Sequence, residues 1–106
     1  MKHVTLAETA LATLDRGAGL PVLFVHGFPL DHTMWEAQVE AVSGGARAIA
    51  PDLRGFGESP APSDTATIDQ YADDLAGLLD ALEVAESVVL CGLSMGGYIA
   101  FSFVRR

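Results

Sequence analysis

The residues with most chemical content are Gly92-Leu93-Ser94-Met95-Gly96-Gly97, a G-x-S-x-G that follows the apolar run Val88-Val89-Leu90-Cys91. A serine hydroxyl is a poor nucleophile at its ordinary pKa. It becomes useful for acyl transfer when a general base, itself held by an orienting partner, takes its proton. Exposing the hydroxyl to such a base needs a buried strand that ends, turns sharply and enters a helix. Gly92 and Gly96 are the residues that turn requires, because side chains there would collide across it, and the serine itself is expected to be strained. Tyr98 to Val104 is apolar almost all round and reads as a helix buried against a sheet. Ser94 is therefore expected at a helix N-terminus, where free N–H groups and the positive dipole end favour an oxyanion. A base and its orienting partner are not apparent after the serine.

The elements that must position this turn alternate short apolar runs with amphipathic segments, the pattern of strands and crossover helices in an α/β sheet. His3 to Leu6 and Ala10 to Leu14 read as a hairpin, followed by a turn at Asp15 to Gly19 and a buried strand from Pro21 to Val25 that runs into His26-Gly27. Thr33 with Glu36 fits a capping box opening a helix that carries Trp35, Val39 and Val42 and stops at Ser43-Gly44-Gly45. Ala46 to Ala50 is a short strand, and the Pro/Gly/Ser-rich stretch from Pro51 to Ala66 is a long loop of the kind kept for functional edges. Thr67 with Gln70 caps a second helix. Its apolar face runs from Ile68 to Leu82, and Asp69, Asp73, Asp74, Asp80 and Glu83 are expected to form a solvated acidic face. Ser87 to Cys91 is the strand that delivers Ser94.

Composition narrows the classes. A chain of 106 residues, half of them hydrophobic and 19% charged, fits one soluble globular domain. A formal charge of -8 with only six Lys and Arg argues against a nucleic-acid surface, which needs clustered cations. The apolar runs are too short to span a bilayer, and Glu8 and Asp15 interrupt any secretory apolar region, so a cytoplasmic location is expected. Cys91 is the single cysteine and is expected to be a small buried packing residue; no intrachain disulfide can form. His3 is expected to be exposed and His32 to lie at a loop entrance, and no metal-ligand spacing joins them to Cys91. No metal or cofactor is therefore expected.

Three motifs occur in order: His26-Gly27-Phe28-Pro29 after a buried strand, Pro51-Asp52-Leu53-Arg54-Gly55-Phe56-Gly57-Glu58-Ser59, and Gly92-Leu93-Ser94-Met95-Gly96-Gly97. Together they make the chain resemble the α/β-hydrolase superfamily, with wording most similar to its enol-lactonase, small-esterase and cofactor-free haloperoxidase-like members. The resemblance implies an α/β fold class. Residues 1–106 would form the N-terminal part of the sheet, with about five strands, mostly parallel after an N-terminal hairpin, and three helices. It implies Ser94 as nucleophile and the backbone N–H groups of Met95 and Phe28 as oxyanion-hole donors. Phe28, His26 and Trp35 are the candidate substrate-lining residues, with His26 also read as shaping its loop and Trp35 as anchoring its helix. Asp52, Arg54 and Ser59 are read as supports of their loop, and Asp31 and Glu58 as poor candidates for the triad acid.

The implied reaction is hydrolysis of a small carboxylic ester or lactone through an acyl-enzyme. In that superfamily the acid and the histidine follow the serine, so both are expected beyond Arg106. The chain alone is then expected to be essentially inactive, since loss of the base costs on the order of 10⁶ in kcat. The strand before Ser94 is expected to be an open apolar edge, so a complementing second chain or a second copy is expected as partner. The competing reading is a non-catalytic module that binds a small molecule or a protein partner through the cleft between Phe28 and Ser94.

Overall fold

The computed structural model describes residues 1–60 and 66–105. Strands β1 (Lys2–Thr5), β2 (Ala10–Arg16), β3 (Pro21–Val25), β4 (Arg47–Pro51) and β5 (Val89–Gly92) form one sheet in the order β1-β2-β4-β3-β5. β1 and β2 are an antiparallel hairpin and β2 is antiparallel to β4, whereas β3 runs parallel to both β4 and β5. The expected architecture is therefore present: a mixed five-stranded sheet, parallel beyond the hairpin, with three helices.

Alternation along the strands divides the core between two faces. Leu23, Val25 and Ile49 point to one face, where they meet Tyr71, Leu75, Leu78 and Leu79 of α2 (Ile68–Ala81) and Ile99 of α3 (Met95–Arg105). Phe24, Ala48 and Ala50 point to the other, where Val39 of α1 (Glu36–Val42) and the Trp35 ring cover them. α2 opens with the expected capping box: Gln70 N–H donates to Thr67 Oγ1, and Thr67 N–H donates to Gln70 Oε1.

Several expectations change. β2 runs on to Arg16, because Asp15 and Arg16 pair with Ile49 and Ala48 of β4. Thr33 is not a helix cap: Asp31 Oδ1 accepts the Thr33 N–H, and the chain makes one 3₁₀ turn, His32–Trp35, before α1. The acidic face of α2 is not wholly solvated, since Asp74 is buried and takes a two-pronged hydrogen bond from Arg54 at 2.8 and 2.9 Å. α3 is not buried all round. Gly96, Ile99 and Ser102 face inward, whereas Tyr98, Phe101 and Val104, three residues apart, are 69–77% exposed.

β5 lies at the end of the strand order with Val89 exposed. Cys91 is only half-buried. Residues 61–65 of the expected loop from Pro51 to Ala66 lie outside the described residues. Among the described residues no helix is long and apolar enough to cross a membrane.

Candidate active site

The strand-to-helix turn at Ser94 is as tight as its glycines require. β5 ends at Gly92, α3 begins at Met95, and Ser94 between them has a φ of 56°, a left-handed conformation that non-glycine residues seldom adopt. A Cβ on Gly92 would lie 2.5 Å from Gly96 O, and a Cβ on Gly96 would lie 2.1 Å from Val25 O. Both are far inside van der Waals contact, so only glycine lets α3 start against β3 and β5. Backbone strain of this kind costs about 1–3 kcal/mol and persists where packing over-determines it. The Ser94 side chain is exposed, and no described residue hydrogen-bonds to its Oγ.

The second wall comes from the end of β3. Val25 pairs in parallel register with Gly92, so the loops after β3 and β5 leave the sheet side by side. They touch. Leu93 N–H donates to Val25 O at 3.3 Å, and a Cβ on Gly27 would meet Leu93 O at 2.8 Å and Ser94 Cβ at 3.4 Å. Phe28 follows with a cis bond to Pro29 and an exposed ring. Among the described residues neither the Phe28 N–H nor the Met95 N–H donates a hydrogen bond, which leaves one backbone donor free on the loop after β3 and one at the residue that follows Ser94. Met95 is the first residue of α3, where an unpaired N–H and the positive dipole end coincide.

His26 is fully buried beneath this loop. Its Nε2 accepts the Leu53 N–H at 2.9 Å, and its Nδ1–H donates to Gly27 O at 3.1 Å. Burial pushes the imidazole below its ordinary 6.5, the neighbouring Asp52 and Asp31 opposing that only in part. Both ring nitrogens are thus engaged on backbone groups, which is a loop-shaping placement; no face of His26 is open to a substrate.

His32, expected at an entrance, is buried. Its N–H and its Nδ1–H both donate to Asp52 Oδ1, at 2.7 and 2.8 Å. Asp52 Oδ2 accepts the Glu58 N–H at 2.9 Å, and the Asp52 carbonyl accepts Ser59 Oγ–H at 2.6 Å. Ser59 Oγ in turn accepts the Ala12 N–H at 3.0 Å.

Asp31, His32 and Asp52 place donor atoms within 4.8 Å of one another. Hydrogen bonds within the cluster and to Thr33 already employ them. Trp35 is half-buried and packs against the α1-side core, its ring on Phe24 with centroids 5.1 Å apart. Sequence reasoning missed Phe56, whose ring meets His26 edge-on at 5.4 Å, Phe28 at 5.8 Å and Tyr71 at 6.4 Å. Its only sequence signal is its position in Arg54-Gly55-Phe56-Gly57.

A family model described as alpha/beta hydrolase fold matches residues 21–106. An epoxide hydrolase of Caballeronia sordidicola is 46% identical over 96 residues, which are 88% of this chain and 29% of that protein. Non-heme chloroperoxidase CPO-A1 of Kitasatospora aureofaciens is 45% identical over 93 residues, 87% of this chain and 34% of that protein. The solved structure of a thermophilic esterase from Thermogutta terrifontis superposes with a TM-score of 0.92 at 52% identity, covering 99% of this chain and 40% of that one. The chain thus spans about a third of the length of the curated relatives it matches.

Proposed function

The chain belongs to the alpha/beta hydrolase fold family, and on that premise we propose that it carries the nucleophile and oxyanion side of a serine acyl-hydrolase site acting on small carboxylic esters or lactones. One observation carries the reading: an exposed Ser94 at positive φ is accompanied by two unpaired backbone N–H groups, that of Phe28 on the neighbouring loop after β3 and that of Met95 at the start of α3. Ser94 Oγ attacks the acyl carbon while its proton passes to a histidine. The carbonyl oxygen becomes an oxyanion that the two N–H groups stabilise, and the alcohol leaves with a proton, giving an acyl-serine that water hydrolyses. The histidine and its acid belong, in this family's chain order, after the serine.

Relatives in this family include enzymes named for epoxide hydrolysis, but the serine favours acyl substrates. An acyl-serine ester has a carbonyl that water can attack. The serine ether that would form from an epoxide has none, and would leave the enzyme blocked. The exposed Phe28 ring, braced by Phe56, suits an apolar acyl group. His26 is buried under the loop and the Trp35 ring is packed on Phe24, so neither is proposed to touch substrate.

The test is a fluorophosphonate probe on the protein as its gene encodes it, with p-nitrophenyl acetate as substrate. Labelling and turnover, both abolished in Ser94→Ala, are expected, whereas the 106-residue chain by itself gives neither. Absence of labelling in the protein would favour a non-catalytic binding module.

A further inference from the structure

The loop that carries Phe28 has little holding it from above: Phe28, Pro29 and Leu30 are all exposed. It is held from below by residues 52–58, at three points. At its start, His26 Nε2 accepts the Leu53 N–H. At its exposed tip, the Phe28 ring rests edge-on against Phe56, the planes 88° apart. At its end, the His32 N–H and Nδ1–H both reach Asp52 Oδ1.

Asp52 makes the last of these attachments itself and anchors the segment that makes the other two. It is fully buried, precedes Leu53, and uses its other carboxylate oxygen to accept the Glu58 N–H, which folds the segment bearing Phe56 back over it. Gly57, at a φ of 52°, wraps so closely that a Cβ there would lie 2.3–2.7 Å from three atoms of the carboxyl group. The carboxylate fills its socket and each oxygen faces a backbone N–H.

We infer that Asp52 is a positioning residue for the oxyanion hole, fixing the Phe28 N–H against Ser94 through His32 on one side and the Leu53–Glu58 loop on the other. The inference rests on the acyl-hydrolase reading above. Asp52 touches no reacting atom. A displacement of a donor by about 1 Å costs on the order of 100-fold in rate when the group acts in the transition state. Asp52→Asn keeps the volume but sets an N–H₂ against the N–H of either Glu58 or His32, two donors facing each other, so the loop must shift.

The experiment uses the protein as its gene encodes it, with active sites counted by fluorophosphonate titration, so that partial unfolding does not enter the rate. Asp52→Asn is expected to lower kcat for p-nitrophenyl acetate by about 10- to 100-fold while KM changes less than about threefold. It is also expected to weaken, by a similar factor, an arylboronate that adds to Ser94 Oγ and places an anionic oxygen in the hole. Gly57→Ala displaces the carboxylate without removing it and is expected to give the same pattern, which keeps the inference testable if Asp52→Asn does not fold. A labelled, folded Asp52→Asn protein with unchanged kcat and boronate affinity, or one altered in KM alone, would overturn the inference and leave the acyl-hydrolase reading standing. If Asp52→Asn does not fold, the same result in Gly57→Ala would overturn it. A wild-type protein that neither labels nor turns over would overturn both.

Discussion

Gly96 and Gly97 are neighbours in the first turn of α3, yet alanine should act oppositely at the two positions. At Gly97 the nearest atom to an added Cβ, outside its own helix, is Gly92 O at 3.9 Å, an ordinary contact. Alanine there should gain helix propensity, up to about 1 kcal/mol. At Gly96 the same propensity is on offer, but the Cβ would lie 2.1 Å from Val25 O and 2.8 Å from His26 O. Carbon and carbonyl oxygen need roughly 3.3 Å, so α3 must move about 1 Å off the end of β3. Overpacking of this size costs about 1–3 kcal/mol or more. Gly96→Ala should therefore be less stable than Gly97→Ala by about 3 kcal/mol, since the propensity term cancels in the comparison. In urea unfolding followed by circular dichroism, with slopes of about 1–3 kcal/mol/M, the midpoints should separate by on the order of 1 M or more. Because the shift moves the helix that starts beside Ser94, fluorophosphonate labelling should also slow in Gly96→Ala and not in Gly97→Ala. Equal midpoints, or a more stable Gly96→Ala, would refute the close approach of α3 to β3 and with it the geometry assigned to Ser94.

Three further outcomes follow from named contacts. Burial holds His26 below its ordinary 6.5, so the unfolded chain binds its proton first; this contribution to stability is complete above about pH 6.5 and is lost as pH falls through the folded value. Denaturation from pH 7 to 5 should show His26→Gln losing less stability than wild type, and parallel curves would contradict the buried neutral ring. Arg54→Ala leaves the buried Asp74 carboxylate without its two-pronged partner and should cost about 3 kcal/mol in urea unfolding, whereas a double Arg54→Met, Asp74→Leu variant should recover most of it. Thr67→Ala removes the capping box of α2 and should cost about 1 kcal/mol, read as a small fall in midpoint with unchanged slope; no change would mean that the cap is idle.

The elements legible in the sequence were those written in local patterns. A short apolar run marked Pro21 to Val25, a helical stripe from Ile68 to Leu82 marked α2, and a G-x-S-x-G after an apolar run marked the turn at Ser94. Helix caps were legible in one case of two: Thr67 caps α2, whereas Asp31 rather than Thr33 supplies a cap, to the 3₁₀ turn from His32, and α1 follows with no side-chain cap. The all-round apolar look of Tyr98 to Val104 gave no sign of which side faces the sheet. Ile99 and Ser102 turned inward because Gly96 had already fixed the rotation of α3 against β3.

By itself, then, the sequence determined that a strained serine turn would form and that a His-Gly loop would follow a buried strand, since glycine sterics and a short apolar run are features of a few adjacent residues. The tertiary structure decided which strands are neighbours. Only with β3 between β4 and β5 do Gly27 and Ser94 meet, and only then does the His26 loop lie over Leu53. The pairs His32–Asp52, Arg54–Asp74 and His26–Leu53 join residues 20 to 27 positions apart. Such pairs depend on how the sheet is ordered and how the helices cross it, which no local spacing encodes. The same placement moved His26 from a candidate substrate contact to a buried support, because a ring with both nitrogens bonded to backbone under a loop has nothing left to offer a ligand.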